Sequence, residues 1–283
     1  MITPRSPKQI CPTCGAFVTE SFCSRCGEKL VEQADFAFST FAADVVKEFT
    51  NLDGRVLHSV AAILSQPGLL TIEYFRGRRV AYLRPVQLFV LANVLYFLIQ
   101  PIIGFNTFTT PLRIHMNSLW HSPLAQRLVD KKVHDRTPEF RDYEREFNQV
   151  IHTQSRSLVF IMIPLFAVAV SLVYFGSKRF FVEHLIFSLH YYAFFLMFLC
   201  LLGGFLRLAP YLRVISSPFM TSDAFVSSLI GIGVLVYLHL ALKRVYQQGT
   251  LWTFAKAIVL TSFVLIIVQF YRFVLFFTAY LAI

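Results

Sequence analysis

The sequence predicts an all-α integral membrane protein, with about five transmembrane helices preceded by a small four-cysteine ribbon and juxtamembrane amphipathic helices. Three observations carry this. The 283 residues are 56% hydrophobic with a mean hydropathy of +0.59. Charged residues make up only 15% of the chain, where a soluble domain carries roughly a quarter. Four cysteines crowd into residues 11–26, while Cys200 stands alone in an apolar run. So much apolar surface cannot be hidden in one soluble core of this size, and lipid is the solvent that accommodates it.

Residues 1–30 form the ribbon. Cys11-Pro-Thr-Cys14-Gly15 and Cys23-Ser-Arg-Cys26-Gly27 are two C-x2-C pairs with eight residues between them. Such spacing lets four thiolates surround one zinc ion at ~2.3 Å. Each glycine stands where a tight knuckle turn needs a residue free of Cβ strain. A closed four-thiolate site leaves no open coordination position, so the predicted role is structural. Residues 1–30 contain no apolar signal-peptide core, so the ribbon is expected in the cytosol, where thiols stay reduced and available for metal.

Residues 31–85 are predicted to be cytosolic and juxtamembrane. Phe38, Phe41, Val45, Val46 and Phe49 recur at helical spacing, as do Val56, Leu57, Val60, Ala61 and Leu64 after a break at Asp53-Gly54. Both stretches are too short to span and read as amphipathic surface helices, the second ending at Pro67-Gly68.

The membrane domain covers 86–283, with apolar segments at about 86–104, 158–176, 184–206, 223–242 and 257–279. Each is near the ~20 residues that a bilayer core requires. Gln269 and Arg272 interrupt the fifth, so either that span ends near Tyr271 or Arg272 faces a polar interior. Basic residues flank the spans at Arg76–Arg84, Lys178–Arg179 and Lys243–Arg244. Placing these inside puts loop 105–157, with a small helical subdomain over 124–151, and the C-terminus on the far side.

The net charge of +10 is spent on these flanks, and the ribbon is too weakly basic for a nucleic-acid footprint, so no nucleic-acid partner is expected. Two further groups stand out. Phe75-Arg76-Gly77-Arg78-Arg79, followed by Arg84-Pro85, is a candidate phosphate- or headgroup-binding motif, because guanidinium groups grip phosphate bidentately. The plain alternative is positive-inside flanking plus headgroup attraction, worth roughly 1 kcal/mol per basic residue. Glu183, His184 and His190 open the third span, and His239 lies in the fourth, giving a candidate intramembrane polar site. Spaced by six residues, the two histidines of the third span stand about 120° apart and ~9 Å apart in depth, so they cannot grip one ion from a single face. Both are expected to face protein, with Asn93, Tyr96 or His239 as partners for His190. The alternative is that they serve only as hydrogen-bonded interface anchors. No phosphate loop, zinc-protease or nucleophile-elbow pattern occurs, and no catalytic residue is assigned.

The order of the Cys-ribbon, Leu52-Asp53-Gly54-Arg55, Gln66-Pro67-Gly68, Glu73-Tyr74-Phe75-Arg76-Gly77-Arg78-Arg79 and Tyr82-Leu83-Arg84-Pro85 resembles a widespread family catalogued as domain of unknown function 3667. The stretch from Glu183 to Phe194 is similar to that family's third-span motif. The resemblance implies a bacterial inner-membrane location; with the basic flanks inside, the N-terminus is then cytosolic and the C-terminus periplasmic. It brings no activity with it. Three classes stay open: a regulatory protein whose ribbon recruits a cytosolic partner, a transporter or lipid-handling protein using the arginines and histidines, and a membrane enzyme with a metal or base at His184, His190 and His239. The first is favoured, because a closed ribbon is the best-supported module and membrane lipids are the other evident partner.

Overall fold

The computed structural model describes residues 9–18, 21–28, 55–104, 107–133, 138–209, 211 and 222–283. The amphipathic stretch expected around Phe38–Phe49 lies outside these residues. Among the described residues, five helices are long and apolar enough to cross a membrane, as predicted.

The ribbon is a pair of two-residue antiparallel strands, β1 (Gln9–Ile10) and β2 (Phe17–Val18), with Ile10 opposite Phe17. Its two knuckles are alike. The Gly15 N–H reaches the Cys11 carbonyl at 3.0 Å and the Gly27 N–H reaches the Cys23 carbonyl at 2.8 Å. Both glycines have φ near +72°, the left-handed region that a side chain disfavours.

Helix α1 (Arg55–Ser65) and helix α2 (Leu69–Phe75) meet at a 118° bend. Pro67 cannot continue α1, and Gly68 turns the chain at φ +77°. A Cβ on Gly68 would stand 2.9 Å from the Ala241 carbonyl oxygen, so the bend is also where another helix passes closest. The pair buries Ser59, Ala62, Ile63, Leu70 and Thr71 and packs on the helix that carries His190. Together the two helices qualify as a broken span or a re-entrant loop, where the sequence predicts one amphipathic surface helix over Val56–Leu64 that ends at Pro67-Gly68. The reason is the apolar second helix, Leu69–Phe75, which finds its partners inside the bundle.

The spans follow. Helix α3 (Pro85–Ile103) opens with proline at its first position, where a missing N–H costs nothing. Helix α8 (Phe181–Leu208) is the axis of the bundle: 72% of its apolar window is buried, against 28–39% for the other four. It therefore reads as apolar all round rather than striped. Helices α3 and α7 (Met162–Val173) pack on it most extensively, while α9 (Asp223–Tyr246) pairs chiefly with α10 (Thr250–Ala282).

At the end away from the ribbon sits a helical cap. It comprises α4 (Leu112–Asn117), α5 (Ser122–Lys132) and the first half of α6 (Pro138–Leu158). Helix α6 buries Phe140, Tyr143, Phe147 and Ile151 at three- and four-residue steps. It then passes through a 3-10 turn, Val159–Ile161, directly into α7. The charged segment predicted as part of a separate subdomain is therefore continuous with the second span. Helix α10 does not stop near Tyr271. Arg272 turns inward, and its Nη2 donates to the Thr107 carbonyl at 3.3 Å, while α6 covers the last turns.

Under the cap, His115 and His121 are buried with Nδ1 and Nε2 3.0 Å apart. Burial, then His121, then Arg272 push the His115 imidazole down to about 3; burial and Arg272 also lower His121. Thr110 lies against His115 through its backbone. An imidazole depressed on folding binds its proton more readily when exposed. The stability it contributes is complete above about 6.5 and is lost as pH falls toward 3, at ~1.4 kcal/mol per pH unit for each such proton. Amide protection over residues 112–132, taken relative to the intrinsic exchange rate at each pH, is expected to fall across that window. In the His115→Phe, His121→Phe double variant the pH slope should flatten; an unchanged slope would assign the effect to groups other than this pair.

Candidate functional site

The four cysteine Sγ atoms lie within 4.8 Å of one another. The Cys11–Cys26 and Cys14–Cys23 pairs are both 3.6 Å apart. A tetrahedral ion with ~2.3 Å bonds to sulfur requires edges of about 3.8 Å, so the cluster fits such an ion. The backbone N–H groups of Cys26 and Arg25 point at the Cys23 thiol and hold it at about 7, below the usual thiol range. Among the described residues, no other group of three or more metal-capable side chains comes together.

Among the described residues, a carboxylate ties the ribbon to the membrane domain. Glu28, next to the second knuckle, is 1% exposed. Its Oε2 accepts the Thr13 hydroxyl at 2.8 Å and the backbone N–H groups of Arg79 and Val80 at 3.0 and 3.1 Å. A buried carboxylate left without donors would cost several kcal/mol, and these three bonds offset it.

Beside this contact the basic motif folds into a pocket. Arg78, Arg79, Arg84, Tyr74, Tyr82 and His190 line it. Its open volume is about 10 Å³, which suits one water molecule. Glu73 accepts from Arg78 Nη2, and Arg79 lies 4.1 Å above the Tyr74 ring. The Nε atoms of both arginines are buried without a partner among the described residues. Arg76 is different: it does not line the pocket, and its side chain is 58% exposed with Nη1 3.6 Å from Glu73. The floor is His190, 3% exposed, whose Nδ1 shares a hydrogen bond with Thr71 Oγ1 at 2.9 Å. Both histidines of the third span face protein, as expected, but the partner of His190 is this α2 hydroxyl. Asn93 instead donates to the Arg156 carbonyl at 3.3 Å, and Tyr96 packs edge-on against Phe108.

The remaining members of the expected intramembrane site do not join it. Glu183 caps α8 by accepting the Phe180 N–H at 2.9 Å, and pairs with Arg179 Nη1 at 2.7 Å. Arg179 Nη2 reaches on to the Val245 carbonyl at 2.8 Å. The His184 ring shares a 2.7 Å hydrogen bond with the Tyr246 hydroxyl. Together these clamp the start of α8 to the end of α9. His239 lies edge-on to Phe254, 5.6 Å between ring centroids. The four residues thus divide into a clamp, a pocket floor and an outlying ring, and no catalytic constellation forms from them.

Glu28 and Thr71 were missed in the sequence. Glu28 follows a knuckle glycine and counted there only toward net charge. Thr71 is a lone hydroxyl in an apolar helix, and only the fold reveals its partner.

The family described as Protein of unknown function (DUF3667) matches residues 53–97. The resemblance is thereby shown over α1, α2, the basic motif and most of α3. Every residue named above as lining the pocket falls within that stretch except His190, while the ribbon and the third-span motif lie outside it. No curated protein and no solved structure matches the chain.

Proposed function

We propose that this chain is a membrane protein that binds anionic phosphate-bearing lipid headgroups in the Arg78–Arg79–Arg84 pocket, with a zinc-folded ribbon seated over it. The observation that carries the reading is the convergence of three arginines, two tyrosines and His190 on one site. Arginines that served only as topology flanks would extend into water, as long basic side chains at membrane edges do. Here two of them instead turn their Nε atoms into the protein. The pocket as it stands admits one water, so a headgroup enters when arginine side chains or the ribbon give way.

The zinc assignment rests on the four-thiolate geometry and on the cytosolic placement expected for the ribbon. The family resemblance implies a bacterial inner-membrane location, and the basic flanks support an orientation with the pocket facing the cytosol. Alkaline phosphatase fused after Ile283 should then be active, and the same enzyme inserted in 1–8 inactive; the opposite pattern would invert the topology.

Binding to phosphatidylglycerol vesicles, with phosphatidylcholine vesicles as reference, tests the site itself. Arg79→Ala and Arg84→Ala should each weaken binding about tenfold more than Arg76→Ala, a difference of ~1.4 kcal/mol. Equal losses at all three positions would mean diffuse attraction to the surface, and the pocket reading would fall. A second reading, recruitment of a cytosolic protein partner by the ribbon, is favoured by Ile10, Phe17 and Phe22, which are 63%, 72% and 58% exposed. Ile10 and Phe17 face each other across the strand pair, so changing both to Ser should remove a partner while leaving headgroup binding intact.

A further inference from the structure

The Glu28 contact has the form of an anion site that is already filled. Two consecutive backbone N–H groups, those of Arg79 and Val80, converge on one carboxylate oxygen at 3.0 and 3.1 Å. Successive main-chain N–H groups aimed at one point make a concavity suited to an anionic oxygen. The same two residues adjoin the guanidinium-lined pocket, and Arg79 belongs to both. The carboxylate comes from a separate module, 51 residues earlier in the chain, so it can leave without disturbing the helices that build the seat.

We propose that Glu28 is a built-in ligand occupying this seat, and that a phosphate group displaces it, releasing the ribbon from the membrane domain as it binds. The proposal rests on the headgroup reading above and adds a consequence to it. Inorganic phosphate carries more negative charge than a carboxylate and offers more acceptor oxygens. A phosphodiester headgroup has the same single charge but adds two ester oxygens to its two free ones on a tetrahedral centre. Either can engage the two N–H groups and the unpartnered arginine Nε atoms together. Glu28 supplies one oxygen to the N–H pair and to Thr13. Linkage makes the exchange reciprocal: whatever favours release of the ribbon strengthens phosphate binding by the same factor.

The full-length protein, loaded with metal, provides the test through two variants and two probes. Inorganic phosphate is one probe; vesicles of phosphatidylcholine with and without phosphatidylglycerol are the other. In Glu28→Ala, amide exchange at Arg79 and Val80 should accelerate, and an anionic probe should slow it again. The same variant should bind that probe about tenfold more tightly than the wild type. In the wild type, saturation with the probe should speed extraction of the ribbon metal by a chelator while Arg79 and Val80 stay protected. Glu28→Gln, close in size but uncharged, should behave like Glu28→Ala in both respects. Metal content of one ion per chain in both variants shows that the ribbon is still folded. Rescue of exchange by inorganic phosphate identifies a soluble anion as sufficient; rescue by phosphatidylglycerol vesicles alone identifies the headgroup as the ligand. If the probes bind but neither re-protects Arg79 and Val80 nor affects metal extraction, Glu28 merely docks the ribbon and the proposal is overturned, with the pocket reading intact. If wild type and variants bind neither probe, the pocket reading falls and takes this proposal with it.

Discussion

Replacing Cys14 with Ser is expected to abolish stoichiometric metal binding and to unfold the ribbon, while the five spans stay inserted. The wild type should hold one zinc per chain. Loss should be close to complete because the ribbon has almost nothing else to fold around. Its buried apolar residues are Cys11, Val18 and Cys23, and its strands are two residues long. A module of that size folds on the free energy of its metal, ~10–16 kcal/mol in comparable structural sites. A serine hydroxyl does not ionise near neutral pH and is a poor substitute for a thiolate. The spans are stabilised separately, by lipid and by packing around α8, so their helicity should persist. Metal analysis with amide exchange over residues 9–28 reads the outcome. A Cys14→Ser protein that retained one tightly held zinc would show that the four thiols are not the site. Retention of a second zinc by the wild type would reopen the enzyme class.

The broad architecture was legible because it follows from solvent. Apolar runs of the length of a bilayer have few other places to go, and all five were found as helices. The four-cysteine cluster was legible because its ligand spacing is local in sequence. What escaped the sequence was long-range. The apolar residues of Leu69–Phe75 mark a buried face without saying which helix covers it, and the turn at Gly68 matters because Ala241 passes beneath it. A helical subdomain over 124–151 was expected, but not that the apolar face of α6 would cover the end of α10, the element that made Arg272 puzzling. At the candidate site, the arginine motif and His190 were each identified and their meeting was not. It depends on α2 folding back against α8, which brings residues 71 and 190 within 2.9 Å. Glu183 and His184 were singled out for being polar within an apolar segment. Their geometry has a structural explanation, a helix cap and an interhelix clamp, and that suffices to account for both.

His190→Phe is the substitution that separates packing from function in the pocket floor. The imidazole is 3% exposed and bonded to Thr71, so removing it leaves the Thr71 hydroxyl buried without that partner. Stranding such a group costs ~1–3 kcal/mol. Thermal stability in detergent should fall accordingly, with insertion and zinc content unchanged. Thr71→Val should cost a similar amount for the mirror-image reason, since it strands the His190 Nδ1. Because both variants break one hydrogen bond, the double variant should cost less than the sum of the two, and the shortfall is their coupling energy. Additive losses would mean that the 2.9 Å contact contributes nothing of its own. The second measurement is headgroup binding. His190 lines the same cavity as Arg78, Arg79 and Arg84, so a ring that orients ligand should weaken phosphatidylglycerol binding in His190→Phe beyond any loss seen in Thr71→Val. If the two variants bind equally well, His190 acts as the hydrogen-bonded wedge holding α2 against α8, and recognition belongs to the arginines and the backbone of Arg79 and Val80.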